Sequence, residues 1–202
     1  MTTIDSITLE AADPTSADSF CTAAFGLGAQ VRARASEAPT TGFRGFTLSL
    51  VVSQPSTVDA LISAAREAGG TELKPAKRSL WGYGGVVRGP DGTIWTVASS
   101  SKKDRGPATR EIDELVLQLG VADVAASKRF YVEHGLEVAK SYGRKYVQFS
   151  SPSSPVILAL YGRRALAKTV SVSPDGTGSH RIAINSAVGP FTDPDGFTWE
   201  TV

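Results

Sequence analysis

The chain has 202 residues, with 21 Lys and Arg against 20 Asp and Glu and a net charge of +1. Hydrophobic residues make up 41% and charged residues 20%, which excludes wholesale disorder. The charge balance also lacks the basic excess that nucleic acid or anionic lipid would draw on. The single cysteine, Cys21, has no partner for an internal disulfide and points to a reducing compartment. No apolar run approaches the roughly 20 residues of a membrane span, and Met1-Thr-Thr-Ile-Asp-Ser6 has no leader character. The expectation is a soluble cytoplasmic protein with neither a nucleic-acid nor a membrane partner.

The first predicted element is a strand over 6–11, where Ser6, Thr8 and Glu10 alternate with Ile7, Leu9 and Ala11. Asp13-Pro14 then caps a helix that runs to Ala24 or Phe25 and stops at Gly26. Strands are predicted over 29–35 and 46–52. A helix over 57–68 follows, marked by a capping-box pattern from Ser56 to Asp59, the stripe Val58, Leu61, Ile62 and Ala65, and a stop at Gly69-Gly70. Strands over 84–88 and 93–98 flank the turn Pro90-Asp91-Gly92. Ser99 to Arg110 is small, polar and charged, and it is broken by Gly106 and Pro107, as linkers are. Its charges read as solvated rather than as a binding site.

Beyond the linker the pattern recurs. A strand near Glu114–Val121 leads to the cap Asp123, a helix over 124–134 and a stop at Gly135. Strands over 146–150, 156–161, 181–185 and 197–201 follow, and the turn Pro194-Asp195-Gly196 joins the last pair. Asp13 aligns with Asp123, Phe20 with Phe130, and Asp91 with Asp195. The hairpin Gly89-Pro-Asp-Gly-Thr-Ile-Trp-Thr96 returns as Asp193-Pro-Asp-Gly-Phe-Thr-Trp-Glu200. Two matches in the same order mark an internal duplication. Each half is trimmed in a different place, since the second has no counterpart to the helix at 57–68.

The capped helix ending in Gly-Leu, Asp123-Val-Ala-Ala-Ser-Lys-Arg-Phe-Tyr131, the segment Trp81-Gly-Tyr-Gly-Gly85 and the closing hairpin resemble the vicinal-oxygen-chelate superfamily. That group includes glyoxalase I, bleomycin-resistance proteins and extradiol dioxygenases. The resemblance covers nearly the whole chain. It implies an α+β fold of tandem, partly trimmed βαβββ modules whose curled mixed sheets enclose a cavity. One glyoxalase-like half spans 1–98 and the other 112–202, joined by the linker 99–111.

Metal-dependent members of that family place a histidine near the start of a module's first strand and a glutamate late in its last. The histidine position holds Ser6 in the first half, and Val116 or Glu114 in the second. The glutamate position holds Thr96 and then Glu200. Phe46 stands where a further ligand would lie in the first half, and His180 is one residue out of register in the second. Glu200, Glu114 and His180 are therefore the candidate ligands for a divalent metal. Against that set stands a reading in which Glu200 is a partly exposed terminal residue and His180 anchors a loop, which so fragmentary a motif favours. His134, in a last helical turn, reads as structural.

The polar strand faces give the remaining candidates. Glu10 and Gln118 are expected to line the cavity, with Trp81, Tyr83 and Tyr161 as its aromatic wall. Tyr161-Gly-Arg-Arg-Ala-Leu-Ala-Lys168 sets three cations beside an aromatic, either as a grip on an anion or as a solvated loop. Three functions stay open. The first is a small-molecule binder of the bleomycin-resistance kind, without metal. The second is a metal-dependent lyase or dioxygenase with one degenerate site in the second half. The third is a homodimeric interaction module with a vestigial cavity.

Overall fold

The computed structural model describes residues 2–150 and 153–202. Among them are four helices and fifteen strands in an α+β arrangement. The chain begins with β1 (Ser6–Ala11), α1 (Pro14–Phe25), β2 (Val31–Ala35) and β3 (Thr40–Gly42). The Asp13 carboxylate accepts from the Ser16 amide at 3.0 Å, Pro14 opens the helix, and Gly26 closes it in the left-handed conformation at φ 70°.

Two complete βαβββ modules follow. The first is β4 (Phe46–Val51), α2 (Pro55–Glu67), β5 (Thr71–Ser79), β6 (Gly82–Arg88) and β7 (Ile94–Ser99). The second is β8 (Glu114–Val121), α3 (Val124–Glu133), β9 (Glu137–Ser141), β10 (Tyr146–Ser150) and β11 (Ile157–Gly162). The chain ends with α4 (Arg163–Thr169), β12 (Gly176–Gly178), β13 (Ile182–Asn185), β14 (Phe191–Thr192) and β15 (Thr198–Glu200).

The capping box expected from Ser56 and Asp59 does not form. Pro55 takes the first helical position, so α2 begins earlier, with Gln54 as its N-cap and no side-chain cap bond from it. The free Ser56 amide donates instead to the Asp104 carboxylate at 2.7 Å, and Asp59 accepts from the Tyr83 hydroxyl at 2.8 Å. Segment 99–111 is thus tied down by its own polar groups. The Gln54 amide nitrogen donates to the Pro107 carbonyl at 2.8 Å, and Gln54 accepts from the Arg105 amide at 2.8 Å. Arg110 donates to the last-turn carbonyls of Ala23 and Ala24 at 2.6 and 2.7 Å. An acid at one helix start and a cation at another helix end match the helix dipoles.

The eight-stranded sheet runs β5-β6-β7-β4-β8-β11-β10-β9, which sets the two complete modules back to back across the antiparallel β4–β8 pair. The five-stranded sheet runs β14-β15-β13-β1-β2 and is centred on the antiparallel β1–β13 pair. A short ribbon pairs β12 with β3. Every sheet therefore takes strands from both sides of 99–111.

The two copies of the hairpin use one turn geometry. Gly92 and Gly196 sit at φ 89° and 91°, and each donates its amide three residues back, to Gly89 and to Asp193. Trp95 and Trp199 are both buried. Trp95 packs on Phe20 and Phe25 of α1, and Trp199 on Tyr131 of α3. Helix α1 also packs on β1 and β2, while α3 packs on β10 and β11. The helices α1 and α3 consequently fill the space between the sheets, each resting on the tryptophan of the other sheet. The Tyr131 hydroxyl, fully buried there, donates to Asp193 at 2.5 Å. Burial pushes the Asp193 carboxyl up.

Helix α4 was expected as a loop. Its Leu166 and Ala167, with Val170 just after it, are fully buried against Val86, Ile94 and Phe43. It lies across the face of the eight-stranded sheet that points away from α2 and α3. Two edge strands, β5 and β9, were also not anticipated. Among the described residues no helix is long and apolar enough to cross a membrane.

Candidate functional site

Strand alternation fixes which side chains share the polar face of the five-stranded sheet. Ser6, Thr8 and Glu10 stand on β1, Arg34 opposite Glu10 on β2, and Asn185 opposite Ser6 on β13. Glu200 on β15 stands opposite Asn185. The Asn185 amide donates to the Ser6 and Thr8 hydroxyls at 3.0 and 2.9 Å. Arg34 donates to Glu10 at 3.0 and 2.6 Å and to Glu200 at 2.8 and 2.7 Å. In a flat sheet Arg34 and Glu200 would stand about 14 Å apart across the strands and about 13 Å along them. One guanidinium can join them only if the sheet curls, so this polar face is concave. The Arg34 hydrogen bonds hold the Glu200 carboxyl below its usual range.

The three candidate metal ligands are not brought together. Glu200 is engaged at both oxygens by Arg34 in one sheet, and Glu114 opens β8 in the other. His180 stacks on Phe197, with centroids 3.9 Å apart. Its Nδ1 lies 2.5 Å from the Arg44 carbonyl and its Nε2 lies 3.0 Å from the Asp195 carbonyl, so neither nitrogen is open to a metal. His134 is likewise held, with Nδ1 2.8 Å from the Phe130 carbonyl. Counted from the observed cap Gln54, the family's histidine position in the first complete module is Thr47 rather than Phe46. Phe46 is buried in the main core, while the Thr47 hydroxyl donates to Gln118 at 2.8 Å. Across the eight-stranded sheet those positions hold Thr47, Val116 or Glu114, and Thr96, which offer no imidazole and at most one carboxylate. Among the described residues no group of three or more His, Cys, Asp or Glu side chains could hold a metal ion. The residues present do not fit a resident divalent cation.

The five expected cavity residues divide among three places. Trp81 borders a cavity of about 210 Å³ on the polar face of β5, β6 and β7, together with Lys74, Lys77, Val86 and Thr96. Tyr83 also touches it, but its hydroxyl is turned to Asp59 of α2 on the opposite face. Thr169, at the end of α4, closes one side of the cavity, and Lys74 Nζ reaches the Thr169 carbonyl at 3.5 Å. Gln118 and Tyr161 lie on the same face as the cavity. Gln118 is bonded to Thr47, and Tyr161 packs on Tyr146 at 4.9 Å and against the cluster beneath α4. Glu10 belongs to the other sheet. Of the cations at 161–168, Arg163 turns inward, donating to the Pro174 carbonyl at 2.9 Å and to the Phe43 carbonyl.

The sequence reading missed Arg34, Lys74 and Lys77. Arg34 did carry a signal, since Val31-Arg-Ala-Arg-Ala35 alternates with the period of a strand.

No family model matches the chain, and no curated protein matches it. Solved structures do. Glyoxalase I from Zea mays superposes with a TM-score of 0.64 at 14% identity, over 100% of this chain and 92% of that one. The chain has the glyoxalase fold. A putative dioxygenase from Bacillus subtilis matches with a TM-score of 0.56 at 12% identity, over 91% of this chain and 69% of that one. A glyoxalase/bleomycin resistance protein/dioxygenase family enzyme from Burkholderia phytofirmans aligns with 48% of this chain and 98% of its own, at 18% identity and a TM-score of 0.45. The glyoxalase fold accounts for the back-to-back modules and for the curl of the sheets. It leaves the chemistry to the side chains.

Proposed function

We propose that this protein binds a small organic molecule in the cavity bordered by Trp81, Lys74, Lys77 and Thr96, without a resident metal. The carrying observation is the composition of that cavity. Val86 and Ala98 supply an apolar floor, two ammonium groups stand at its wall, and no carboxylate lines it. Trp81 is 85% exposed at its edge, which leaves its indole face open to stack on a ligand. At about 210 Å³ the space is smaller than the clefts of roughly 300–1,000 Å³ that hold drug-sized ligands. It suits a single ring with a short polar or anionic arm. The missing metal donors support binding rather than Lewis-acid catalysis as the role of this fold here.

Intrinsic fluorescence tests the reading. Trp95 and Trp199 are buried, so quenching by an added ligand reports on Trp81. A panel of small aromatic and aliphatic acids, amides and alcohols should contain a compound that quenches saturably in the wild type and not in Trp81→Phe. A panel that quenches neither protein, or both alike, removes the proposal.

A further inference from the structure

A second cavity, of about 440 Å³, lies between the first hairpin and the β3–β12 ribbon, and no part of the reading above uses it. Its walls carry two guanidinium groups, Arg44 and Arg88, beside the apolar side chains of Phe43 and Ile94. Arg44 Nη2 donates to the Asp91 carbonyl at 2.5 Å. Arg44 Nη1 is buried without a hydrogen-bond partner. Its nearest carboxylate oxygen, on Asp91, is 3.9 Å away and already accepts from the Thr93 hydroxyl. The Thr40 hydroxyl, on the same cavity wall, is also buried and unpartnered. Buried polar groups without partners are rare in folded proteins and call for a water or a ligand.

The charge balance says which ligand. Burial, together with repulsion from Arg181 and Arg88, pulls the Arg44 guanidinium below its ordinary range, and Asp91 offsets this only in part. Arg181 and Arg163 nearby are already spent on backbone carbonyls, of Ala38 and Ser36 and of Pro174 and Phe43. Arg44 and Arg88 are left facing the cavity. Asp175, whose carboxylate accepts from Ser173 at 2.8 Å, also lines it. Two acids, Asp91 and Asp175, against the guanidinium groups of Arg44, Arg88 and Arg181 leave an excess of one positive charge, which suits a single negative charge and disfavours a phosphate dianion.

We propose that this cavity binds the carboxylate of a small organic acid, with the acid's apolar body lying on Phe43 and Ile94. The planar guanidinium groups match a carboxylate's two oxygens, and the volume lies within the range of small-molecule sites.

Titration calorimetry with benzoate at low ionic strength tests this, using neutral benzamide and inorganic phosphate as comparison probes. The expected result is saturable benzoate binding with benzamide weaker by about tenfold or more, the scale of one charge-assisted contact. Phosphate should not compete. Arg88 is exposed, so Arg88→Gln should fold normally and should weaken benzoate to the level of benzamide. Lys77→Gln, in the separate cavity beside Trp81, should leave the Arg88-dependent benzoate binding unchanged, whatever weaker binding it removes beside Trp81. Equal binding of benzamide, competition by phosphate, no effect of Arg88→Gln, or no saturable binding at millimolar benzoate would each overturn the proposal. A loss caused by Lys77→Gln instead would place the acid in the Trp81 cavity and overturn it as well.

Discussion

The Arg34 guanidinium on β2 donates to Glu10 on the neighbouring β1 and to Glu200 on β15, a strand separated from β2 in the sheet by β1 and β13. Without it, two carboxylates would face each other across the curled sheet. Because Arg34 depresses the Glu200 pKa below 4.5, the pair contributes stability above that value. The contribution is lost as the pH falls through the folded-state pKa. The Arg34 side chain is 43% exposed and that of Glu200 35%, so solvent screening limits the pair to about 1 kcal/mol or less. Urea denaturation of Arg34→Met should show that deficit near neutral pH and its disappearance well below pH 4.5. A deficit unchanged across that range would mean that the guanidinium acts through packing alone. Glu10 was visible in the sequence as a polar-face residue, and Glu200 as a candidate metal ligand. Their shared partner was not, because Arg34 and Glu200 meet only through long-range strand pairing and sheet curl.

Helix α4 covers the central part of the eight-stranded sheet. Its backbone lies so close to Gly120 that a Cβ there would stand 3.1 Å from the Arg163 Cα and 3.3 Å from Leu166. Leu166→Ala should cost about 2–5 kcal/mol. Hydrogen exchange should report faster opening in α4 than in α2. Uniform acceleration along the chain would show that α4 is not a separable cover. The helix was illegible in sequence because seven residues make barely two turns, with no side-chain cap. Its stability comes from tertiary burial rather than local propensity. By contrast α1 and α3 carry Asp13 and Asp123, whose cap bonds are local and could be read directly. The edge strands β5 and β9 expose most of their residues and show no apolar alternation. The period that reveals a half-buried strand was therefore absent.

At the scale of the molecule we read the sequence halves as units of duplication and the sheets as units of folding. Each half keeps its own helix-to-hairpin packing, Trp95 on α1 and Trp199 on α3, while its strands pair with the other half. Fragments 1–111 and 112–202 should each lack a cooperative unfolding transition and should regain one when mixed. A cooperative transition for fragment 112–202 alone would refute that division. The same architecture leaves this glyoxalase fold without grouped metal donors among its described residues, yet with a Trp81-edged cavity. Thermal denaturation of chelator-treated protein against the small-molecule panel tests that central claim most directly, since a ligand of the folded state must raise the melting temperature. The account expects a compound that raises it without added metal, with the rise lost in Trp81→Ala. Stabilisation that appears only when a divalent cation is restored would contradict it.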